Sequence, residues 1–267
     1  MNLAICSLAS GSSGNCYVVR GGDTFVLVDA GISGRQIRER LAAIGLAPTR
    51  LSAVLVTHSH SDHIKGLAGL LKTTDADIHA NKATALDFSK EIPGDRLQLF
   101  ATGETFSVGE LEISSFPVSH DTADPVGFSF RNGGRQLSIV TDTGIVTPPV
   151  MDQIRGADIL VLESNHDENI LRMGRYPWFL KQRILSEKGH LSNEAAAKAL
   201  ALALEEEAAE GQVRQRTVLL AHLSQENNFP EMAMATMSNI LEERGLLSAG
   251  VRIRILPRTE QSPVYTV

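Results

Sequence analysis

The chain of 267 residues has 43% hydrophobic and 21% charged side chains, enough apolar material for a large globular fold and too ordered a composition for a tail or a fibre. A net charge of -6 excludes a generally basic nucleic-acid binder, so a polyanionic partner would have to meet a local basic patch or bound cations. No apolar run reaches the roughly 18 to 20 residues that cross a bilayer, and MNLAICSLASGSSGNC has neither the basic start nor the long apolar stretch of a signal peptide. The expectation is a cytoplasmic protein with no membrane partner and with Cys6 and Cys16 as small buried thiols.

Aromatics at 5%, beside plentiful Ala, Leu, Gly and Val, suit α/β layering. With no repeat and no Pro, Gly or Ser-rich linker, a single domain over 1–267 is expected. Residues 3–8, 16–20 and 24–29 read as strands punctuated by Ser/Gly segments. A helix follows Ser33, where Ser33 and Gln36 form a capping-box pattern and Ile37, Leu41 and Ile44 share a face. Residues 51–57 make an apolar strand, followed by a helix near 64–71 and by β runs at 98–101, 104–108, 111–118, 126–131 and 137–141. Alternation then returns: strand 159–163, helix 193–207 with Ser192 as its cap, strand 217–221, helix 230–243 with Pro in its first turn, and strand 251–256.

Three of the eight histidines crowd into Thr57-His58-Ser59-His60-Ser61-Asp62-His63. His58 and His60 can converge on one cation while Asp62 and His63, at the helix entry, can reach a second; imidazole and carboxylate suit Zn²⁺ or another first-row ion. Four ligand-type residues at a strand-to-helix junction argue against a mere surface turn. His120, Asp142 and His222 each follow an apolar run, and the ends of strands are where an α/β sheet gathers reactive groups. His58, His60, Asp62, His63, His120, Asp142 and His222 are thus the candidate ligands, and the expected cofactors are two divalent ions, Zn²⁺ or Mn²⁺.

On these residues the sequence resembles the metallo-β-lactamase superfamily. Asp29 in Leu27-Val28-Asp29-Ala30-Gly31 matches the first motif, Thr57 to His63 the second, and His120, Asp142 and His222 the third, fourth and fifth. Ser7 to Cys16, Ser119-His120-Asp121 with Asp124-Pro125-Val126-Gly127, Glu163-Ser164-Asn165-His166-Asp167 and Gly189-His190-Leu191-Ser192-Asn193 are similar to its YycJ/WalJ-like branch, which is associated with phosphodiester hydrolysis in DNA. The resemblance implies a four-layer αββα sandwich with two metals at one edge. It places His58, His60 and His120 on the first metal, Asp62, His63 and His222 on the second, and Asp142 across both. Antibiotic-hydrolysing members usually carry Cys at the position of Asp142, so a lactamase is not expected. Two such cations can bring a shared water's pKa near neutrality and steady both oxygens of an in-line displacement at phosphorus.

Asp62, itself one of the candidate ligands, and His190, outside the ligand set, are the catalytic candidates. His190 precedes a helix N-terminus at Ser192 and Asn193, where backbone N–H groups favour a phosphate oxygen, and its imidazole could protonate the leaving group; the bland alternative is a His that flanks a helix. Asp29 and His166 are expected to support ligands by hydrogen bonds rather than bind metal. Over 171–188, Arg172, Arg175, Lys181, Arg183 and Lys188 face only Glu187, with Tyr176, Trp178 and Phe179 between them. Arg172, Arg175 and Arg183 are therefore candidate phosphate contacts; equally, the aromatics could pack on the core or on a second copy of the chain. The expectation is a dinuclear hydrolase acting on nucleic acid, DNA ahead of RNA, with a homo-oligomer admitted but not required. A thioester or small cyclic phosphodiester hydrolase of the same fold, or a metal-stabilised module without turnover, is the alternative.

Overall fold

The structure, a computed structural model, describes residues 3–88, 90, 92–212, 214–247 and 250–267. They form two compact units: unit 1 is Met1–Pro117, Thr122–Arg135 and Pro257–Val267, and unit 2 is Val118–Asp121 and Gln136–Leu256. The chain passes between them four times. No one linker separates them.

Unit 1 opens with β1 (Leu3–Gly11), β2 (Gly14–Gly21) and β3 (Thr24–Val28), an antiparallel run whose β1–β2 register, from Leu3↔Gly21 to Gly11↔Gly14, shifts between Ser7 and Ala9. All of β1 is buried, as suits a strand covered on both faces. β4 (Ala53–Leu55), β5 (Asp77–Asn81) and β6 (Leu97–Phe100) extend the sheet in parallel, and β14 (Tyr265–Thr266) pairs with β1, giving the order β14-β1-β2-β3-β4-β5-β6. The same unit holds the antiparallel meander β7 (Thr105–Val108), β8 (Leu111–Pro117) and β9 (Val126–Asn132). Strands β5 and β14 are additions to the sequence reading.

The capping box is present: α1 (Gly34–Ala43) starts with Ser33 Oγ accepting from Gln36 N while the Gln36 side chain accepts from Ser33 N. Ile37 and Leu41 are buried in the apolar cluster under the sheet. The helix expected near 64–71 is instead two short helices, α2 (Ser61–Ile64) and α3 (Leu67–Leu70). Gly66 divides them: a Cβ there would lie 1.8 Å from the Ile32 carbonyl oxygen, so the chain packs backbone on backbone at this point. A further short helix, α4 (Lys82–Ala85), follows β5. Both cysteines are free and buried.

Unit 2 is built on four parallel strands, β10 (Arg135–Val140), β11 (Ile159–Glu163), β12 (Arg216–Ala221) and β13 (Val251–Ile255). The crossovers carry α5 (Pro148–Gly156), then α6 (Glu168–Met173), α7 (Trp178–Ile184) and α8 (Asn193–Ala209), then α9 (Pro230–Glu243). The expected bounds of β11 and α9 hold to the residue; α5, α6 and α7 went unread because each is short or lacks a clean apolar period. Arg216 of β12 pairs with Glu207 of α8 away from water, fixing that helix on its strand. Leu162 lies opposite Val140 and Glu163 opposite Ala221, so the C-terminal ends of β10, β11 and β12 stand side by side. Among the described residues no helix is long and apolar enough to cross a membrane.

Candidate functional site

In unit 1 the chemistry begins at the ends of β3 and β4. Asp29, the residue after β3, has φ 59°, a left-handed turn that carries the chain back onto the loop after β4. Its N–H donates to Leu55 O, Ala30 N to His63 O and Gly31 N to Asn15 O. Only glycine fits at Gly31, where a Cβ would lie 1.6 Å from Asp62 O. The Asp29 carboxylate accepts from Thr57 N at 2.9 Å, from Thr57 Oγ1 at 2.9 Å and from His63 Nδ1 at 2.7 Å. Burial pushes this carboxyl above the usual carboxylate range, against the pull of His63 and Thr57.

A carboxylate partner on Nδ1–H leaves the His63 lone pair on Nε2. Nε2 lies 3.6 Å from Asp62 Oδ2, and the Asn15 amide nitrogen reaches both, at 3.1 Å and 3.4 Å. His58 Nδ1 lies 3.0 Å from Thr57 Oγ1, whose proton goes to Asp29, so His58 is the donor here and its lone pair also falls on Nε2, 3.2 Å from His60 Nδ1. The four ligand candidates of this unit, His58, His60, Asp62 and His63, thus form one cluster.

In unit 2 the corresponding carboxylate is Glu163, the last residue of β11 and wholly buried. Its Oε1 accepts from His190 Nδ1 at 2.7 Å and His222 Nδ1 at 2.9 Å; its Oε2 accepts from Thr143 N at 2.9 Å and Leu191 N at 3.3 Å. Burial opposes charge on Glu163, yet the two imidazoles hold its carboxyl down at about 2. Asp142 and His222, like Asp29, sit at positive φ, 55° and 56°, just beyond the ends of β10 and β12. Asp142 Oδ1 lies 3.4 Å from His222 Nδ1 and 3.9 Å from His120 Nε2. His120 gives its Nδ1–H to Gly189 O at 3.1 Å, placing its lone pair on Nε2; burial lowers its pKa, partly offset by Asp142.

Asp142, Glu163, His190 and His222 each offer a ligand atom within 4.8 Å of the others. Two N–H donors already converge on Glu163 Oε1, however, so Glu163 holds the histidines rather than a cation. The donor set fits divalent ions: His58, His63, His120 and His222 each commit Nδ1–H to an oxygen and so present Nε2, the arrangement that metal-binding imidazoles use.

Three expectations need correction. Ser192 and Asn193 are not available to a phosphate: Ser192 Oγ caps α8 by accepting from Ala195 N, Asn193 N donates to His166 O, and the Asn193 side chain is buried between Ser164 and Asn228. The N–H groups of Asn193, Ala195 and Ala196 at this helix start are thus committed within the protein. His166 does not fix a ligand's tautomer, because its buried ring nitrogens make no hydrogen bond among the described residues, and desolvation lowers its pKa to about 4. Arg172 is paired with Glu168 at 3.1 Å and Arg183 with Asp121, so of the three arginines proposed for phosphate only Arg175 has no acidic partner among the described residues. The reading also passed over Glu163 and Asn15 as site residues, although a Glu closing the otherwise apolar run ILVLE is itself a signal of a buried partner.

The chain is similar to several known proteins. The family model of the beta-lactamase superfamily domain matches residues 24–209. The exodeoxyribonuclease YycJ of Bacillus anthracis is 43% identical over 248 residues, which cover 92% of this chain and 91% of that protein. The exodeoxyribonuclease WalJ of Streptococcus pneumoniae is 40% identical over 253 residues, 93% of this chain and 91% of the relative. Among solved structures, the metallo-β-lactamase fold protein YhfI from Bacillus subtilis has a TM-score of 0.74 at 16% identity, covering 100% of both chains; this likeness shows the α/β sandwich fold.

Proposed function

Because this chain belongs to the β-lactamase superfamily, we propose that it is a metal-dependent phosphodiesterase that removes nucleotides from DNA ends in the cytoplasm, the exodeoxyribonuclease activity for which both relatives are named. Its ligands are His58, His60, Asp62, His63, His120, Asp142 and His222, binding two divalent ions, Zn²⁺ or Mn²⁺. Such ions, when bound, make water acidic enough to attack near neutral pH and stabilise negative charge on phosphate oxygens. The observation that carries the reading is Glu163, a buried anion that takes Nδ1–H from both His190 and His222. With Nδ1–H fixed, His190 acts at its other nitrogen: in the imidazolium form, steadied by Glu163, Nε2–H gives a proton to the leaving oxygen. Asp62 orients with His63 at the other cluster, under the amide of Asn15. The presence of Asp rather than Cys at 142 supports a phosphodiester rather than a lactam substrate.

Metal analysis of the purified protein followed by hydrolysis of bis(p-nitrophenyl) phosphate and of end-labelled DNA and RNA tests this. The expected result is bound divalent ion, mononucleotide release from DNA faster than from RNA, and joint loss of ion and turnover in Asp142→Ala. An ion-loaded protein that cleaves only thioesters or cyclic nucleotides, or that cleaves nothing, overturns it.

A further inference from the structure

The hairpin of β1 and β2 turns at Ser12 and Ser13 and delivers a fully buried side chain, Asn15, to the ligand candidates of unit 1. Its orientation is fixed from several sides. Asn15 Oδ1 accepts from Gly11 N at 3.0 Å and its main-chain oxygen from Gly31 N at 2.8 Å; Gly31 packs so closely that a Cβ there would lie 2.5 Å from Asn15 N. Lys65, the residue after α2, donates Nζ–H to Ser13 O and ties the turn to the helix that carries Asp62. With Oδ1 spent on Gly11, both amide hydrogens face the cluster, one toward Asp62 Oδ2 at 3.4 Å and one toward His63 Nε2 at 3.1 Å. Asp62 rests on this amide alone. Asp29 accepts from Thr57 N, Thr57 Oγ1 and His63, and Glu163 from two imidazoles and two backbone amides. Asp62, half-buried on a helix of four residues, has only Asn15 as a hydrogen-bond donor among the described residues.

We propose that Asn15 is a positioning residue of the metal centre: its amide holds Asp62 Oδ2 beside His63 Nε2, so that two ligand atoms stand as a pair before an ion arrives. The inference rests on the two-ion phosphodiesterase reading and gives the β1–β2 hairpin a part in it. A carboxylate with one donor keeps one rotamer only if that donor is itself rigid, and the bonds to Gly11 and Gly31 make Asn15 so. A buried NH₂ group is costly unless both hydrogens find acceptors, and the two acceptors here are both proposed ligands. Packing alone would ask for no donor at this point. A neutral amide also orients the carboxylate without the positive charge by which Lys or Arg would repel the ion.

Zn²⁺ affinities of the chelator-stripped full chain are measured by competition with a chromophoric chelator, beside kcat for bis(p-nitrophenyl) phosphate. In Asn15→Ala one of the two ions is expected to bind on the order of tenfold more weakly, as loss of a group that orients a ligand predicts, with the other ion unchanged and kcat lowered. Lys65→Met loosens the same hairpin at Ser13 without touching a ligand, and is expected to leave both affinities as they are. A lower melting temperature in Asn15→Ala with neither affinity shifted would show a residue that only packs, and overturns the inference; so does an equal weakening of both ions. Should Asn15→Ala not fold, the wild type decides: the Asn15 side-chain amide is expected to shift in a proton–nitrogen correlation spectrum as Zn²⁺ is added, and an amide that the ion leaves unmoved overturns the inference. Hydrolysis by wild type and Asn15→Ala alike, with equal ion affinities, sinks the inference and spares the proposed activity. Selective weakening of one ion, in a protein whose wild type hydrolyses no phosphodiester, does the reverse.

Discussion

The ligand clusters of the two units reach the same end by opposite routes. In unit 1 the candidates lie within one short stretch, the loop after β4 and the start of α2, and are secured by a single carboxylate, Asp29, that holds one imidazole and the loop's Thr57 amide. In unit 2 they come from the ends of separate strands, and the carboxylate at their centre, Glu163, ties two imidazoles and two backbone amides from different crossovers. The electrostatics differ accordingly. One imidazole and Thr57 do not offset the burial of Asp29, whose pKa is raised, whereas two imidazoles overcome that of Glu163 and hold it at about 2. A cluster gathered by sequence is anchored at one imidazole, while a cluster gathered by topology is anchored at two.

Substitution of the anchors breaks this comparison if it is wrong. Glu163→Gln keeps the volume but turns an acceptor edge into a donor facing two N–H groups, and is expected to lower kcat/KM for bis(p-nitrophenyl) phosphate on the order of hundredfold, or about 2.7 kcal/mol. Asp29→Asn disturbs one imidazole and is expected to cost about tenfold, near 1.4 kcal/mol, in the same assay. Equal losses would show that the two anchors bear equally on turnover.

A smaller effect sharpens the unit 2 side. His166 titrates near 6.5 when unfolded and about 4 when folded, so between these values the unfolded chain takes up a proton that the native chain refuses. Its neutral form therefore contributes fully above the unfolded value, and stability declines as pH falls, by about 1.4 kcal/mol at roughly pH 5.5. Urea midpoints at neutral and mildly acidic pH are expected to fall further for the wild type than for His166→Gln; parallel declines would show that the ring is not held neutral.

What the sequence disclosed follows the same division. The loop 57–63 was legible because its donors adjoin, and Asp29, Asp142 and His222 because each ends an apolar run. Ser33 and Gln36 announced α1 because a capping box is wholly local. Glu163 was not legible as an anchor, since its partners lie 27 and 59 positions away and only the parallel register of β11 and β12 brings them in reach. Arg183 looked available to phosphate for the same reason, its acid standing 62 positions off. Ser192 carried its own correction: read as a helix cap, its hydroxyl was already committed.

The left-handed backbone at Asp29, Asp142 and His222 has a consequence for how such proteins vary. A branched or bulky side chain is strained at these three points, by about 1 to 2 kcal/mol each, while Gly, Asn, Asp and His are the residues most at ease there. Of those four, Asp and His are also the types that serve the candidate site, as proposed ligands at Asp142 and His222 and as the acceptor for His63 at Asp29. Steric law and coordination chemistry therefore pass nearly the same short alphabet at these positions, and drift away from it is penalised twice, once in folding and once in turnover.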